Sequence, residues 1–287
     1  MIKIFYRVLL VLFTAVFAIV LLRVFFFDQF RIGGNSMEPT LHEGDRILVN
    51  KVIMGARIYK RYNFTNPELK CFRMPALRNP VPGDILVFNN PRGWGRKKIE
   101  FRINNVFVKR CIGCPGDTVS IIGGYYYNNH IQNDILPDKF QRILHDSPDS
   151  VLVSQGTQMQ SIPHMKSLGW TIRNMGPLLV PHKGDTIVLN PVSSRIYSLQ
   201  IEYETGEKPI VSDNQVYLKG GLVSSYRFTS NWYFLGGDNV LNSKDSRYIG
   251  LIPEDYITGI ATRKLYNRDS RSNKISFSLF MSSIKQI

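Results

Sequence analysis

The chain is short of acid and of cysteine, and it lacks the signatures of nucleotide and metal chemistry. Only 22 Asp+Glu stand against 36 Lys+Arg in 287 residues, a formal net charge of +14. A surplus of that size suits nucleic acid, an anionic membrane surface or acidic partners. Three cysteines, Cys71, Cys111 and Cys114, leave an odd thiol after any pairing. Cys111 and Cys114 have CxxC spacing, yet one such pair without nearby histidines is half a zinc site at most. They read as two small residues in a strand-to-turn segment. HExxH, a Walker loop and paired CxxC motifs are all missing, so metalloprotease, nucleotide and zinc-ribbon functions have no footing. Neither metal nor cofactor is expected. Long stretches of 3.6-residue periodicity are also missing beyond the N-terminal segment.

That segment, VLLVLFTAVFAIVLLRVFFF (residues 8–27), holds twenty residues and a single charge, Arg23. At about 1.5 Å per residue it spans about 30 Å, the thickness of a bilayer's hydrocarbon core. Lys3 and Arg7 precede it, which favours a cytoplasmic N-terminus and a single pass. Arg23 lies near the far end, where its long stem can snorkel to the interface. A cleavable signal peptide is the competing reading, with MIKIFYR as its n-region and Val16-Phe17-Ala18 before the cut. Cutting there would leave IVLLRVFFF exposed, so an uncleaved anchor (residues 1–28) is expected. With most of the chain across the membrane, lipid head groups explain the positive charge better than nucleic acid does.

Beyond the anchor come short β-branched and aromatic runs, such as RILVNKV, DILVFNN, NVFVKRCI and DTIVLN, divided by Gly, Pro, Asn and Asp. That pattern predicts a mainly β chain. Gly44-Asp45, Gly83-Asp84, Gly116-Asp117 and Gly184-Asp185 each precede an apolar run and read as turn punctuation. Residues 123–231, with GGYYYNN and long polar loops, differ from their flanks and read as an insertion. The tail 267–287 is basic, with apolar residues at 275, 277, 279 and 281. It suits an edge strand, a membrane-contacting segment or a disordered end.

Ser36 lies in GGNSMEPTL (residues 33–41), just past the anchor. Most serines of this kind only cap a turn. It is not in a G-x-S-x-G elbow, since position 38 is Glu. A triad with His42 and Asp45 is poorly placed, because six residues of irregular loop seldom aim a base. NVFVKRCIGCPGDTV (residues 105–119) offers more. As a strand it puts Phe107, Lys109 and Cys111 on one face and Val108, Arg110 and Ile112 on the other. Whichever face is inward, one cation is forced toward apolar surroundings. Lysine can shed its proton there and arginine cannot. Lys109 is therefore a candidate neutral amine, with Arg110 turned to solvent or to a carboxylate. An amine base near pH 8 needs its pKa lowered by roughly 2–3 units, about 3–4 kcal/mol of desolvation. On spacing alone, an edge-strand lysine remains the plainer alternative. A third segment, YFLGGDNVLNSKDSRYIGLIP (residues 233–253), is dense in short polar side chains. Its hydroxyl could orient an amine and its Asp–Arg pair could brace a site.

In order, GNSMEPTL, NPVPGDILVF, VFVKRCIGCPGD and GDNVLNSKDSRYIG closely resemble the motif boxes of type I signal peptidases. Those membrane-anchored serine endopeptidases remove signal peptides from exported preproteins. The resemblance implies Ser36 as nucleophile, Lys109 as general base and Ser243 as the hydroxyl that orients the amine. It implies a supporting charged network of Arg110, Asp245 and Arg247, and a substrate pocket near Phe30, Ile32, Met37, Leu41 and Val108. It further implies a β catalytic domain (29–122 and 232–266) with a smaller β-rich domain (123–231) inserted, held in the cytoplasmic membrane. Many members carry a serine two residues before the nucleophile that helps the oxyanion hole; here that position is Gly34. The Cys111/Cys114 pair falls where aliphatic residues are common. Two other functions fit the same fold: a non-catalytic membrane-tethered binding module and a self-cleaving Ser-Lys regulator.

Overall fold

An apolar run that leaves water must satisfy its own backbone. Residues Ile2–Phe25 do so as one α-helix (α1), about 36 Å long at 1.5 Å per residue. None of its apolar window is buried inside the protein. The computed structural model describes residues 2–61, 67–91, 98–131, 135–269 and 272–284. The helix starts well before Val8 and stops ahead of Phe27, which already belongs to strand β1 (Phe27–Arg31). The expected anchor boundary at residue 28 thus falls inside a strand. Asp28 ends the helical run electrostatically: it accepts from Arg23 Nη2 at 2.8 Å and from Lys51 Nζ at 3.1 Å. Lys51 Nζ also donates to the Arg23 carbonyl at 2.6 Å, tying the helix end to the sheet.

The main sheet adds β2 (Asp45–Asn50), β3 (Ile85–Asn89), β4 (Val106–Gly113), β5 (Trp232–Gly236), β6 (Ile252–Pro253) and β7 (Ile257–Arg268). Its spatial order is β1-β2-β7-β3-β4-β5-β6, with every neighbouring pair antiparallel. Strand β3 at its centre is buried along its whole length. Ile85 and Val87 enter one core with Ile32, Met37, Leu41, Ile47 and Val49. Leu86 and Phe88 enter a second with Cys111, Tyr233, Leu235 and Ile260. The sheet is therefore covered on both faces, which decides the fate of any charge placed in it.

The four Gly-Asp dipeptides at 44, 83, 116 and 184 make the same turn. Each glycine has φ between 86° and 102°. Each aspartate accepts the backbone N–H three residues earlier: His42 to Asp45 at 2.9 Å, Val81 to Asp84 at 3.0 Å, Cys114 to Asp117 at 2.8 Å and His182 to Asp185 at 2.8 Å. A Cβ at Gly44 would lie 2.3 Å from the Arg268 carbonyl oxygen, so this turn is closed to other residues on two counts.

Residues 123–231 contain short strands, among them Tyr125–Asn128, Met175–Leu179 and Gln215–Leu218. They also contain four short α-helices that the sequence reading did not anticipate: Asp138–Asp146, Asp149–Ser154, Pro191–Ile196 and Ser198–Thr205. Each is too short to show sustained periodicity. The third carries a legible start signal, because Asn190 accepts from the N–H groups of Val192 and Ser193 ahead of a first-turn proline. Residues 123–231 share a core with the flanking strands, since Ile112, Val119, Trp232 and Phe234 pack with Leu144, Ile172 and Ile201. In the tail, Ile275–Ser276 and Ser282–Ser283 pair with β7, and Ile284 is buried. The edge-strand alternative is the one adopted, while Phe277 and Phe280 stay exposed.

Leu86→Ala should lower unfolding stability by about 2–5 kcal/mol, seen as a lower denaturant midpoint for the full chain in detergent. An unchanged midpoint would contradict a filled core on that face of β3.

Candidate active site

The loop after β1 is held by its apolar residues. Met37 and Leu41 are fully buried in the first core, and Leu41 N donates to the Met37 carbonyl at 2.8 Å. Ser36, beside Met37, is therefore fixed by packing rather than left on a free loop. A second loop, after β5, is sewn to it. Asn239 N donates to the Ser36 carbonyl at 3.1 Å, and Asn242 Nδ2 donates to Asn35 Oδ1 at 3.0 Å. Gly237 permits this approach, because a Cβ there would meet Ser243 Oγ at 2.1 Å and the Ser36 carbonyl oxygen at 2.6 Å. The Ser36 N–H donates to no acceptor among the described residues.

Strand β4 brings Lys109 to this point. Its side chain is 3% exposed, and its Nζ lies 2.5 Å from Ser36 Oγ and 3.1 Å from the Val108 carbonyl oxygen. Burial pushes the Lys109 pKa down to about 8, against the pull of Asp245 and Asp238. A large fraction of the amine is thus neutral at mildly alkaline pH, while hydrogen-bond distance to the hydroxyl is already met. The side chain bonded to Ser36 Oγ is Lys109, not His42, which is exposed and whose backbone N–H donates to Asp45 in the turn.

Arg110, next in the strand, does not turn to solvent. It is wholly buried and pairs with Asp238 through Nε–Oδ1 at 2.8 Å and Nη2–Oδ2 at 2.7 Å. It also donates to the Gly83 carbonyl at 2.8 Å, and Thr40 Oγ1 donates to Asp238 at 2.5 Å. Arg247 pairs separately with Asp245, with both contacts at 2.8 Å and both side chains buried. Burial alone would push the Asp245 carboxyl up; Arg247 beside it and the Gly237 N–H hold it below its ordinary value. The expected charged network is thus two separate ion pairs. One of them depends on Asp238, to which the sequence reading gave no role. The available signal was Arg110 itself: a buried guanidinium on a doubly covered strand needs a carboxylate.

Ser243 departs from expectation. Its Oγ is buried beside Gly237 and makes no hydrogen bond, to Lys109 or to any other described group. The cleft at Ser36 has a volume of about 400 Å³. Ile32, Met37 and Val108 line it, together with Gly34, Asn242 and Lys244. Phe30 and Leu41 do not. Leu41 is enclosed in the core behind the loop, and Phe30 packs against that core. Among the described residues, no group of three or more His, Cys, Asp and Glu stands close enough to hold a metal ion.

A family model described as "Signal peptidase, peptidase S26" matches residues 5–266, nearly the whole chain. The chain belongs to the signal peptidase I family. Among its relatives, the signal peptidase I of Buchnera aphidicola subsp. Schizaphis graminum is 26% identical over 294 residues, covering 95% of this chain and 78% of that protein. That of Aquifex aeolicus is 26% identical over 251 residues, covering 87% and 80%. That of Pseudomonas aeruginosa reaches 38%, but over 107 residues, 37% of this chain and 31% of that one. The solved signal peptidase I of Enterococcus faecalis is 20% identical at a TM-score of 0.26, covering 65% of this chain and all of the other. Signal peptidases I are membrane-bound serine hydrolases that remove signal peptides from preproteins, and the exposed apolar helix α1 fits that setting.

Asp238→Ala leaves a buried guanidinium unpaired and should cost about 3–5 kcal/mol. Thermal unfolding of the purified variant checks this, and an unchanged melting temperature would contradict the pairing.

Proposed function

We propose that this signal peptidase cuts preproteins at small-x-small (Ala-x-Ala) sites with a Ser36–Lys109 dyad and an acyl-enzyme intermediate. The observation that carries the reading is the 2.5 Å approach of Lys109 Nζ to Ser36 Oγ inside a desolvated site. Neutral Lys109 takes the hydroxyl proton as Ser36 Oγ attacks the scissile carbonyl. The unpaired Ser36 N–H supplies one oxyanion donor, and Gly34 at the second position supplies no side chain. The lysine ammonium then protonates the leaving amine. A water activated by the same amine releases the acyl group. Ile32, Met37 and Val108 give the cleft an apolar wall that favours small side chains by steric exclusion. An intact serine and a buried lysine in contact argue against a non-catalytic binding module.

The same proposal places the enzyme in the cytoplasmic membrane with Lys3 and Arg7 inside and the catalytic strands outside. Residues 29–122 and 232–266 form the catalytic unit and 123–231 its insertion. The positive surface and exposed Phe277 and Phe280 favour anionic lipid over nucleic acid as the neighbour.

Ser36→Ala, Lys109→Ala and Lys109→Arg should each lower kcat/KM on an Ala-x-Ala preprotein by roughly 10⁴-fold or more, the last because guanidinium stays charged. Full activity in any of them sinks the dyad. The base works only when neutral, so wild-type kcat/KM should rise about tenfold per pH unit below 8 and level off above it. A profile flat across pH 8 would contradict Lys109 as the base.

A further inference from the structure

Between the catalytic lysine and the first turn of the insertion, strand β4 ends in Cys111-Ile112-Gly113 and is followed at once by Cys114. The two sulfurs lie 3.4 Å apart, and no other cysteine is paired with either. The turn that joins them is fixed from several sides. Cys111 N donates to the Asp84 carbonyl and Gly83 N to the Cys111 carbonyl, each at 2.8 Å. Cys114 N donates to Asp117 Oδ2 at 2.8 Å. Gly113 has no room for a side chain, since a Cβ would fall 2.5 Å from Val119 Cγ2. The backbone therefore holds both thiols in one place, and packing keeps them facing each other.

From these contacts we infer that Cys111 and Cys114 form an intramolecular disulfide, a covalent clasp on the strand that carries Lys109. Closing to a bond of about 2.05 Å moves the sulfurs together by only about 1.4 Å, within reach of small rotations about the two Cα–Cβ bonds. The inference rests on the extracytoplasmic placement of the catalytic domain, where disulfides persist. The step is exchange with a small-molecule or protein disulfide. Cys114, half-buried, attacks as thiolate and expels one donor thiol; Cys111 then attacks the Cys114 sulfur and expels the second. Two electrons and two protons pass to the donor, which leaves as two thiols. Cys111 is fully buried and its thiol pKa is raised well above the ordinary value, so it suits the second, resolving step and not the first. With no metal-binding cluster among the described residues, zinc is not a competing use of the pair.

The test is thiol trapping in membranes. Cells are quenched with N-ethylmaleimide, the full chain is unfolded in detergent without reductant, and tryptic peptides are weighed. Cleavage after Arg110 leaves both cysteines in one peptide. The expected result is that this peptide is unlabelled and lighter by two hydrogens, with Cys71 alone alkylated. Reductant should then expose both thiols. It should also lower the melting temperature of wild type by a few degrees while leaving that of Cys114→Ala unmoved. Alkylation of all three cysteines without reductant overturns the resident bond. In that case the purified reduced enzyme is incubated with glutathione disulfide. Failure to close shows the geometry to be wrong. Closure in the purified enzyme alone overturns the compartment instead, and protease protection of the catalytic domain in right-side-out vesicles would confirm that the orientation has failed.

Discussion

The desolvation of one ammonium group is what the site depends on. Lys109 sits on a strand whose two faces are both covered by apolar side chains, and at 3% exposure on the cleft wall its charge is stripped of most of its hydration. Three cations are buried here, and two are neutralised by their own carboxylates, Arg110 by Asp238 and Arg247 by Asp245. Lys109 alone has no such partner among the described residues. A fall in its pKa from 10.5 to about 8 amounts to about 3 kcal/mol set against the charged form. The two ion pairs matter to the chemistry because they keep Asp238 and Asp245 occupied. Released, either carboxylate would draw Lys109 back toward its protonated state.

The same desolvation carries a consequence for folding. Because the folded pKa of Lys109 is the lower one, the unfolded chain holds more protons between about 8 and 10.5. Stability contributed by this residue therefore grows as pH rises through that window and is missing below it. The fold tolerates a strained group at the site and offsets it elsewhere, in β3, packed from both sides, and in the aromatic core around Trp232, Tyr233 and Phe234.

Much of this was legible in the sequence. Lys109 stood out because a cation alternating with apolar residues along a strand has few places to go, and the Gly-Asp turns repeat one hydrogen bond four times. The α1 run was plain, although its ends were not: Asp28 and its two cations tie the helix end to Lys51, just past β2, out of reach of local pattern. Other features depended on long-range pairing. Asp238 meets Arg110 across 128 residues of chain, and Leu41 lies behind the Ser36 loop because Met37 and Leu41 turn inward together. The short helices of the insertion were hidden by their length. Ser243 arrives at the site as its motif implies, buried beside Gly237, with its hydroxyl unbonded among the described residues.

The most direct test of the neutral-lysine account is to titrate Lys109 itself. Wild-type enzyme with ¹³Cε-labelled lysine, compared with Lys109→Met to assign the resonance, would be followed by NMR in detergent from pH 6 to 11. The account predicts one lysine with a midpoint about 2.5 units below the ordinary value of 10.5, near 8. A Lys109 midpoint at or above 10.5 would contradict it, because the amine beside Ser36 would then be an ammonium at every pH where the enzyme works.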